Sequence, residues 1–273
     1  MAEFTTWESY FYPETFNPVT RDGTLVNLYE ERDADVLRTL EYGDTADRLR
    51  ELEKDPGKIP HTYDLEHLKA IHGYVFQDVY PWAGQLRTVN MTTGDTFFAN
   101  INRGSWGQRS TAERYIEDAA AAVRTTRWTE LDREEFGAKI AGVFAHVNQA
   151  HPFREGNGRT TKRFLDHVAE QSRFQLDYTR VSAEVWNQSS WLTIPDAGAY
   201  EVHPEMIQHV FTAIATERPA PAVPSQEDPG RAQQRSPYAP AADAVKYQNR
   251  PSTQRPYEPP RAGYEHGRGG AER

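Results

Sequence analysis

Cysteine is absent from the 273 residues, which excludes a disulfide framework and every thiolate metal site, the zinc deaminases with their Cys pair included. That suits a reducing compartment, and the cytoplasm is the expected location. The opening MAEFTTWESYFYPET has no basic patch followed by an apolar core, so no secretory signal peptide is expected. No apolar run approaches the length of a bilayer-spanning helix. Positive charge is in deficit: 31 Lys and Arg stand against 40 Asp and Glu, a net charge of −9. Nonspecific nucleic-acid binding and a membrane partner are therefore not expected. GxSxG and GxxxxGK(S/T) are missing too, which removes the α/β-hydrolase serine elbow and the P-loop. Nucleotide binding stays open, because it depends on a local nest of N–H groups and not on global charge.

What is present is concentrated in HPFREGNGRTTKR, His151 to Arg163. Gly156, Asn157 and Gly158 permit sharp turning, so consecutive N–H groups can converge on a phosphate. The run then opens a helix with Phe164, Leu165 and Val168 as apolar positions, which adds the positive end of a helix dipole. Glu155 is a hard oxygen ligand suited to Mg²⁺. Arg159 can fork onto phosphate oxygens. His151, just before the turn, can take a proton from an attacking hydroxyl as a neutral imidazole.

Composition changes after Arg218. Residues 219–273 are rich in Pro, Ala, Gly, Gln and Arg, with few branched aliphatics, and read as a disordered tail carrying Tyr238, Tyr247, Tyr257 and Tyr264. Residues 1–218 read as one mostly helical domain with an N-terminal helical extension. Asp33 leads a stretch with Val36, Leu37, Leu40, Leu49 and Leu52, with Gly43 as a break. Asp64 caps a helix placing Leu65, Leu68, Ile71, His72 and Val75 on one face. Leu86 to Thr92 alternates as a strand, and Gly94-Asp95 turns it back into Phe97-Phe98 as a hairpin. Ser110 with Glu113, and Asp132 with Glu135, form capping boxes. Phe136, Ile140, Val143, Phe144 and Val147 then mark a buried helix leading to His151. Ser182 starts a short helix through Trp186, and His203 to Thr216 supplies the last. His61, His67 and His72 are too poorly spaced for a metal site, so His72 reads as a packed core residue. Trp82, Trp106, Trp128, Trp186 and Trp191 are scattered and read as packing residues, not as a base-stacking platform.

The motif resembles the core pattern of the Fic family, HPFx(D/E)GNGRxxR, and the likeness extends upstream through LEHLKAIHGYVFQDVYPWAGQLRTVNMTTGDTFFA, Leu65 to Ala99. The resemblance implies an all-α helical bundle with a small β-hairpin flap over the active site. It implies transfer of AMP from ATP to a Ser, Thr or Tyr hydroxyl of a target protein, with ATP and Mg²⁺ required. His151 would be the base, Phe153 the loop anchor and Glu155 the Mg²⁺ ligand. Gly156, Asn157 and Gly158 would line the anion hole, and Arg159 would contact the β-phosphate. Thr96, Phe97 and Phe98 of the flap would dock the target by strand addition, which carries little side-chain selectivity.

One departure matters. The family's second arginine, a γ-phosphate contact, is Lys162 here, followed by Arg163. Lysine is a point charge without the bidentate fork, and Arg163 lies about 100° further round the helix. The family's inhibitory pattern (S/T)xxxE(G/N) is not found. Either a small antitoxin protein supplies that glutamate, or the enzyme is uninhibited, or Lys162 makes the brake obsolete. Two other readings compete: transfer of another phosphate-bearing group, and an idle binding module. Gly158, which is Lys in the Doc-type kinases, disfavours phosphoryl transfer, and the pair His151 and Glu155 disfavours idleness.

Overall fold

The computed structural model describes residues 4–93, 96–105 and 108–218. The tail, the Gly94-Asp95 turn and Trp106 lie outside the described residues. Polar capping sets where the helices begin. The Asp33 carboxylate accepts from Asp35 and Val36 N–H and starts α1, Ala34–Lys54, which runs straight through Gly43 instead of breaking there. Asp64 accepts from His67 N–H and starts α2, Leu65–Phe76. The two capping boxes form as read from sequence, opening α3, Thr111–Thr125, and α4, Arg133–Ala150. The motif helix α5, Asn157–Ala169, follows a left-handed Gly156. Two shorter helices complete the bundle: α6, Ala183–Leu192, and α7, Glu205–Ile214. Among the described residues no helix is long and apolar enough to cross a membrane.

Helix α4 is the core element, packed on α3, α5 and α7, and Phe136, Ile140, Val143, Phe144 and Val147 are all buried. Its Gly137 sits against the α7 backbone, where an added Cβ would come within 3.0 Å of Thr212 N.

Two expectations fail for physical reasons. Leu86 to Thr92 forms no strand before Thr92; the hairpin is only β1, Thr92–Thr93, against β2, Thr96–Phe97. Arg87 takes over where a ladder would have run. Its buried guanidinium donates to the carbonyls of Val89, Ala99, Ala150 and His151. The last helix stops at Ile214, and β4, Ala215–Glu217, pairs antiparallel with β3, Phe174–Leu176, a sheet the periodicity did not show. Residues 4–33 are mostly irregular and pack behind the motif: the Arg154 guanidinium lies 4.0 Å from the Trp7 ring and 5.0 Å from the Phe11 ring.

Candidate active site

The motif occupies the α4–α5 turn. His151 caps α4 in the left-handed region (φ 40°, ψ 60°), a conformation that costs a non-glycine residue about 1–3 kcal/mol. Arg87 Nε holds its carbonyl at 2.7 Å. Phe153 is buried and stacks on His72 at 4.0 Å. The Asn157 amide closes the turn from both sides, accepting from Phe153 N–H at 2.9 Å and donating to the Phe153 carbonyl at 2.8 Å. That side chain is therefore committed to the loop, and only its backbone N–H is left for an anion. Gly156 combines φ +79° with a close approach: a Cβ there would stand 2.2 Å from the Phe76 ring. No other residue fits.

Behind the loop, His72 is the packed core histidine expected. Gly84 N–H donates to its Nδ1 (2.8 Å), which puts the proton on Nε2, facing the Glu155 carbonyl at 3.1 Å. Burial holds its pKa down at about 3.

In front of the loop lies a cleft of about 310 Å³. His151, Asn157, Gly158 and Thr161 form one wall; Asn148, Trp186, Asn187 and Trp191 contribute another. The tryptophans thus divide: Trp82 and Trp128 are core residues, but Trp191 is 42% exposed and Trp186 half-buried, both facing the cleft. Helix α5 begins at Asn157, so its first N–H groups have no partner within the helix. A Cβ at Gly158 would meet nothing within 4 Å, so the protein itself gives no steric reason for glycine there. Phe98 stacks on the His151 ring at 3.7 Å. Burial, then the Arg87 charge, lowers the His151 pKa to about 3, so the ring is neutral at pH 7.

The flap rests on the end of α4. Ala99 N–H donates to the Gln149 carbonyl (2.9 Å), and Gln149 Nε2 donates to the Phe97 carbonyl (3.1 Å). Thr96 begins β2, and the Phe97 side chain is 70% exposed.

The charged residues of the motif are arranged differently from the simplest expectation. Glu155 accepts from Gly156 N–H at 2.9 Å and lies 3.7 Å from Arg159. It is half-exposed, a hard oxygen donor beside the α5 N-terminus, and that donor fits Mg²⁺, which takes one or two carboxylates and completes its shell with phosphates and water. Arg159 pairs with Glu41 of α1 and donates to Thr45 Oγ1 at 2.9 Å. Glu41 also accepts from Tyr80 OH. The signal for this was legible: Leu37, Glu41, Thr45, Leu49 and Leu52 fall on one buried stripe of α1, with two polar residues inside it. Lys162 lies outside the cleft lining, its amine 4.6 Å from the Trp186 ring and 5.0 Å from the Tyr178 ring. Arg163 is buried against α1, donating to the Leu49 carbonyl (3.1 Å) and pairing with Glu53 (3.2 Å). For the adjacent cation the structure thus shows a packing role between α5 and α1.

The model of the Fic/DOC family matches residues 62–169. The protein adenylyltransferase VbhT of Bartonella schoenbuchensis is 30% identical over 183 residues, 67% of this chain and 35% of its own length. The probable protein adenylyltransferase Fic of Escherichia coli is 31% identical over 131 residues, 46% of this chain and 60% of its own. In fold, the chain resembles the VirB-translocated effector BepC of Bartonella tribocorum, solved with bound AMPPNP (TM-score 0.61, 19% identity, 78% of this chain and 98% of that one). The chain belongs to the Fic/DOC family. It spans about a third of the length of the Bartonella relatives it matches, at 35% and 37%.

Proposed function

We propose that the chain is a protein adenylyltransferase that moves AMP from ATP to a Ser, Thr or Tyr hydroxyl of a target protein. The observation that carries this reading is the shared cleft: a neutral imidazole and the bare N-terminus of a helix face the same space. The target hydroxyl oxygen attacks the α-phosphorus, the bond to the bridging oxygen of the β-phosphate breaks, and pyrophosphate leaves. His151 takes the hydroxyl proton. Triphosphate charge beside the ring raises its pKa from the low value it has when covered by Phe98. The N–H groups of Asn157 and Gly158 hold phosphate oxygens, and Gly158 keeps the backbone open to them. Glu155 would hold Mg²⁺, which would supply positive charge against the phosphates. Arg159 reaches the β-phosphate by exchanging Glu41 for it. The aromatic wall of Trp186 and Trp191 accepts the base.

Phe97 at the exposed edge of the flap docks the target. Control comes from a separate small antitoxin protein that supplies a glutamate, since the inhibitory pattern is missing and Glu41 engages the first arginine, not the position of the second. The relatives' names support adenylyl transfer over movement of another phosphate-bearing group. Incubation of the purified chain in lysate with α-labelled or γ-labelled ATP tests this. Label on a protein band from the α-position only is expected. Label from the γ-position would indicate phosphoryl transfer, and no label in any lysate would indicate an idle binding module.

A further inference from the structure

Away from the cleft, towards the other end of α5, three histidines converge from three parts of the chain. His61 precedes α2, His67 lies in its first turn, and His167 lies in the last turn of α5. One ring nitrogen from each lies within 4.8 Å of the others. The three rings are nearly parallel, with His61 stacked on His167 at 4.0 Å.

Hydrogen bonding leaves this group incomplete. Tyr63 N–H donates to His67 Nδ1 at 3.2 Å, which places the His67 proton on Nε2. That proton faces His167 Nδ1 at 2.9 Å, so His167 carries its own on Nε2. The His167 Nε2 atom is buried and has no hydrogen-bond partner among the described residues. His61 Nδ1 faces the Glu170 carboxylate at 3.7 Å, and its Nε2 is also buried and unpartnered. A buried polar atom left unmatched costs about 1–3 kcal/mol. The His61 Nε2 lone pair is the one that an occupant held between the three rings would match.

We propose that His61, His67 and His167 form a binding site for a divalent transition metal, Zn²⁺ foremost, that clamps the start of α2 to the last turn of α5. Zinc takes imidazole nitrogens at about 2.0–2.1 Å, which sets them roughly 3.3 Å apart in a tetrahedron. One pair, His67 Nε2 and His167 Nδ1, stands 2.9 Å apart and all three nitrogens lie within 4.8 Å, so rotation of the rings must bring them to that spacing. Glu170 behind His61 Nδ1 is the carboxylate that fixes ring orientation in many such sites. The edges of Phe164 and Tyr63, at 5.3 and 5.5 Å from His67, provide a dry shell. The His61 side chain is 20% exposed, which gives the ion a route in and water the fourth position.

The proton count balances. On binding, the proton between His67 Nε2 and His167 Nδ1 moves to His67 Nδ1, and Tyr63 N–H gives up its bond there. His67 Nε2, His167 Nδ1 and His61 Nε2 then all offer lone pairs. Ten residues along α5 separate Asn157 from His167, about 15 Å at 1.5 Å per residue. The site is therefore structural and independent of the phosphate loop.

The test uses the full chain, stripped with chelator and dialysed, then titrated with Zn²⁺ by calorimetry and with Co²⁺ by visible absorption. One tight equivalent is expected, with the strong d–d bands of four-coordinate Co²⁺. Melting should rise by roughly 5–10 °C at hundredfold excess over Kd. His61→Ala, outside any helix, should weaken Zn²⁺ by about 100-fold, and Glu170→Gln by about tenfold, as expected for a group behind a ligand. His203→Ala, on the surface, should change nothing. Absence of tight binding in wild type, or binding that survives His61→Ala unchanged, would overturn the proposal and leave the three rings as a hydrogen-bonded core cluster. If His167→Gln fails to fold, the His61→Ala and Glu170→Gln titrations decide alone.

Discussion

The loop from His151 to Arg159 has a side turned to the core and a side turned to the cleft, and the two treat similar residues differently. On the core side, His72 has both ring nitrogens bonded, Phe153 is stacked, the Asn157 amide is closed on Phe153, and Gly156 is pressed against Phe76. On the cleft side, His151 carries the Phe98 ring on one face, bonds the Asn148 backbone and lines the cleft, and Gly158 has no neighbour a side chain would touch. Burial lowers both His72 and His151 to about 3. A displaced pKa therefore does not separate structural from reactive histidine here. What separates them is that both His72 nitrogens are bonded within the core, whereas the His151 ring lines the cleft.

The comparison breaks most sharply at the two extremes of the loop. On the cleft side, His151→Ala should lower target labelling by about 10²–10⁴-fold, the usual worth of a positioned base. Its melting temperature should stay within a few degrees of wild type. A large loss of cooperativity would move His151 to the core side of the comparison. On the core side, Gly156→Ala forces a Cβ into the Phe76 ring and a left-handed conformation on alanine. Denaturant unfolding should show a loss of about 2–4 kcal/mol. A silent Gly156→Ala would mean that the loop can shift away from α2.

The pH dependence of stability sharpens the core side further. His72 is depressed in the folded state, so its contribution is complete above the unfolded value near 6.5 and is lost as pH falls towards about 3. Urea midpoints should fall by the equivalent of about 1.4 kcal/mol per pH unit in that window for this one group. His72→Gln should flatten that part of the curve, even from a lower starting stability. No flattening would mean that another group carries the acid response.

Smaller effects sit where the two sides meet. Glu41→Gln weakens the hold on Arg159 without removing its hydrogen-bond acceptor. Neutral and charge-assisted bonds differ by about 1 kcal/mol, so ATP should bind roughly fivefold tighter. Weaker binding would instead show that Glu41 aims Arg159 at the phosphate. Smallest of all should be Lys162→Ala. Its amine rests on Trp186 and Tyr178, a contact worth about 0.5–2 kcal/mol, which must be surrendered to reach a phosphate. If it does so, ATP affinity falls while ADP affinity holds. Arg163→Ala should lower stability and leave that ATP-to-ADP ratio alone, since its guanidinium is spent on Leu49 and Glu53.

Much of this was legible before the structure, and for identifiable reasons. Asp64, Ser110 and Asp132 cap their helices as read, and Asp33 caps α1 too, because capping is a local exchange between a side chain and N–H groups two or three residues on. The apolar stripe of α4 held for the same reason: periodicity is a property of one helix. Leu86 to Thr92 misled because alternation predicts a ladder only if a partner strand exists, and Arg87 satisfies the carbonyls instead. The β3–β4 pairing joins residues about forty positions apart, and three residues a side leave no period to detect.

Sequence by itself determined the loop that turns at Gly156, the helix that opens behind it and the family to which both belong, since each depends on groups within one turn of chain. Tertiary structure alone decided the rest. It turned Arg159 towards Glu41, set Lys162 on two aromatic rings, covered His151 with Phe98 and brought His167 beside His61 and His67. Those pairings span 16 to 118 positions of chain, and no local pattern encodes which distant side chain will be nearest once the helices pack.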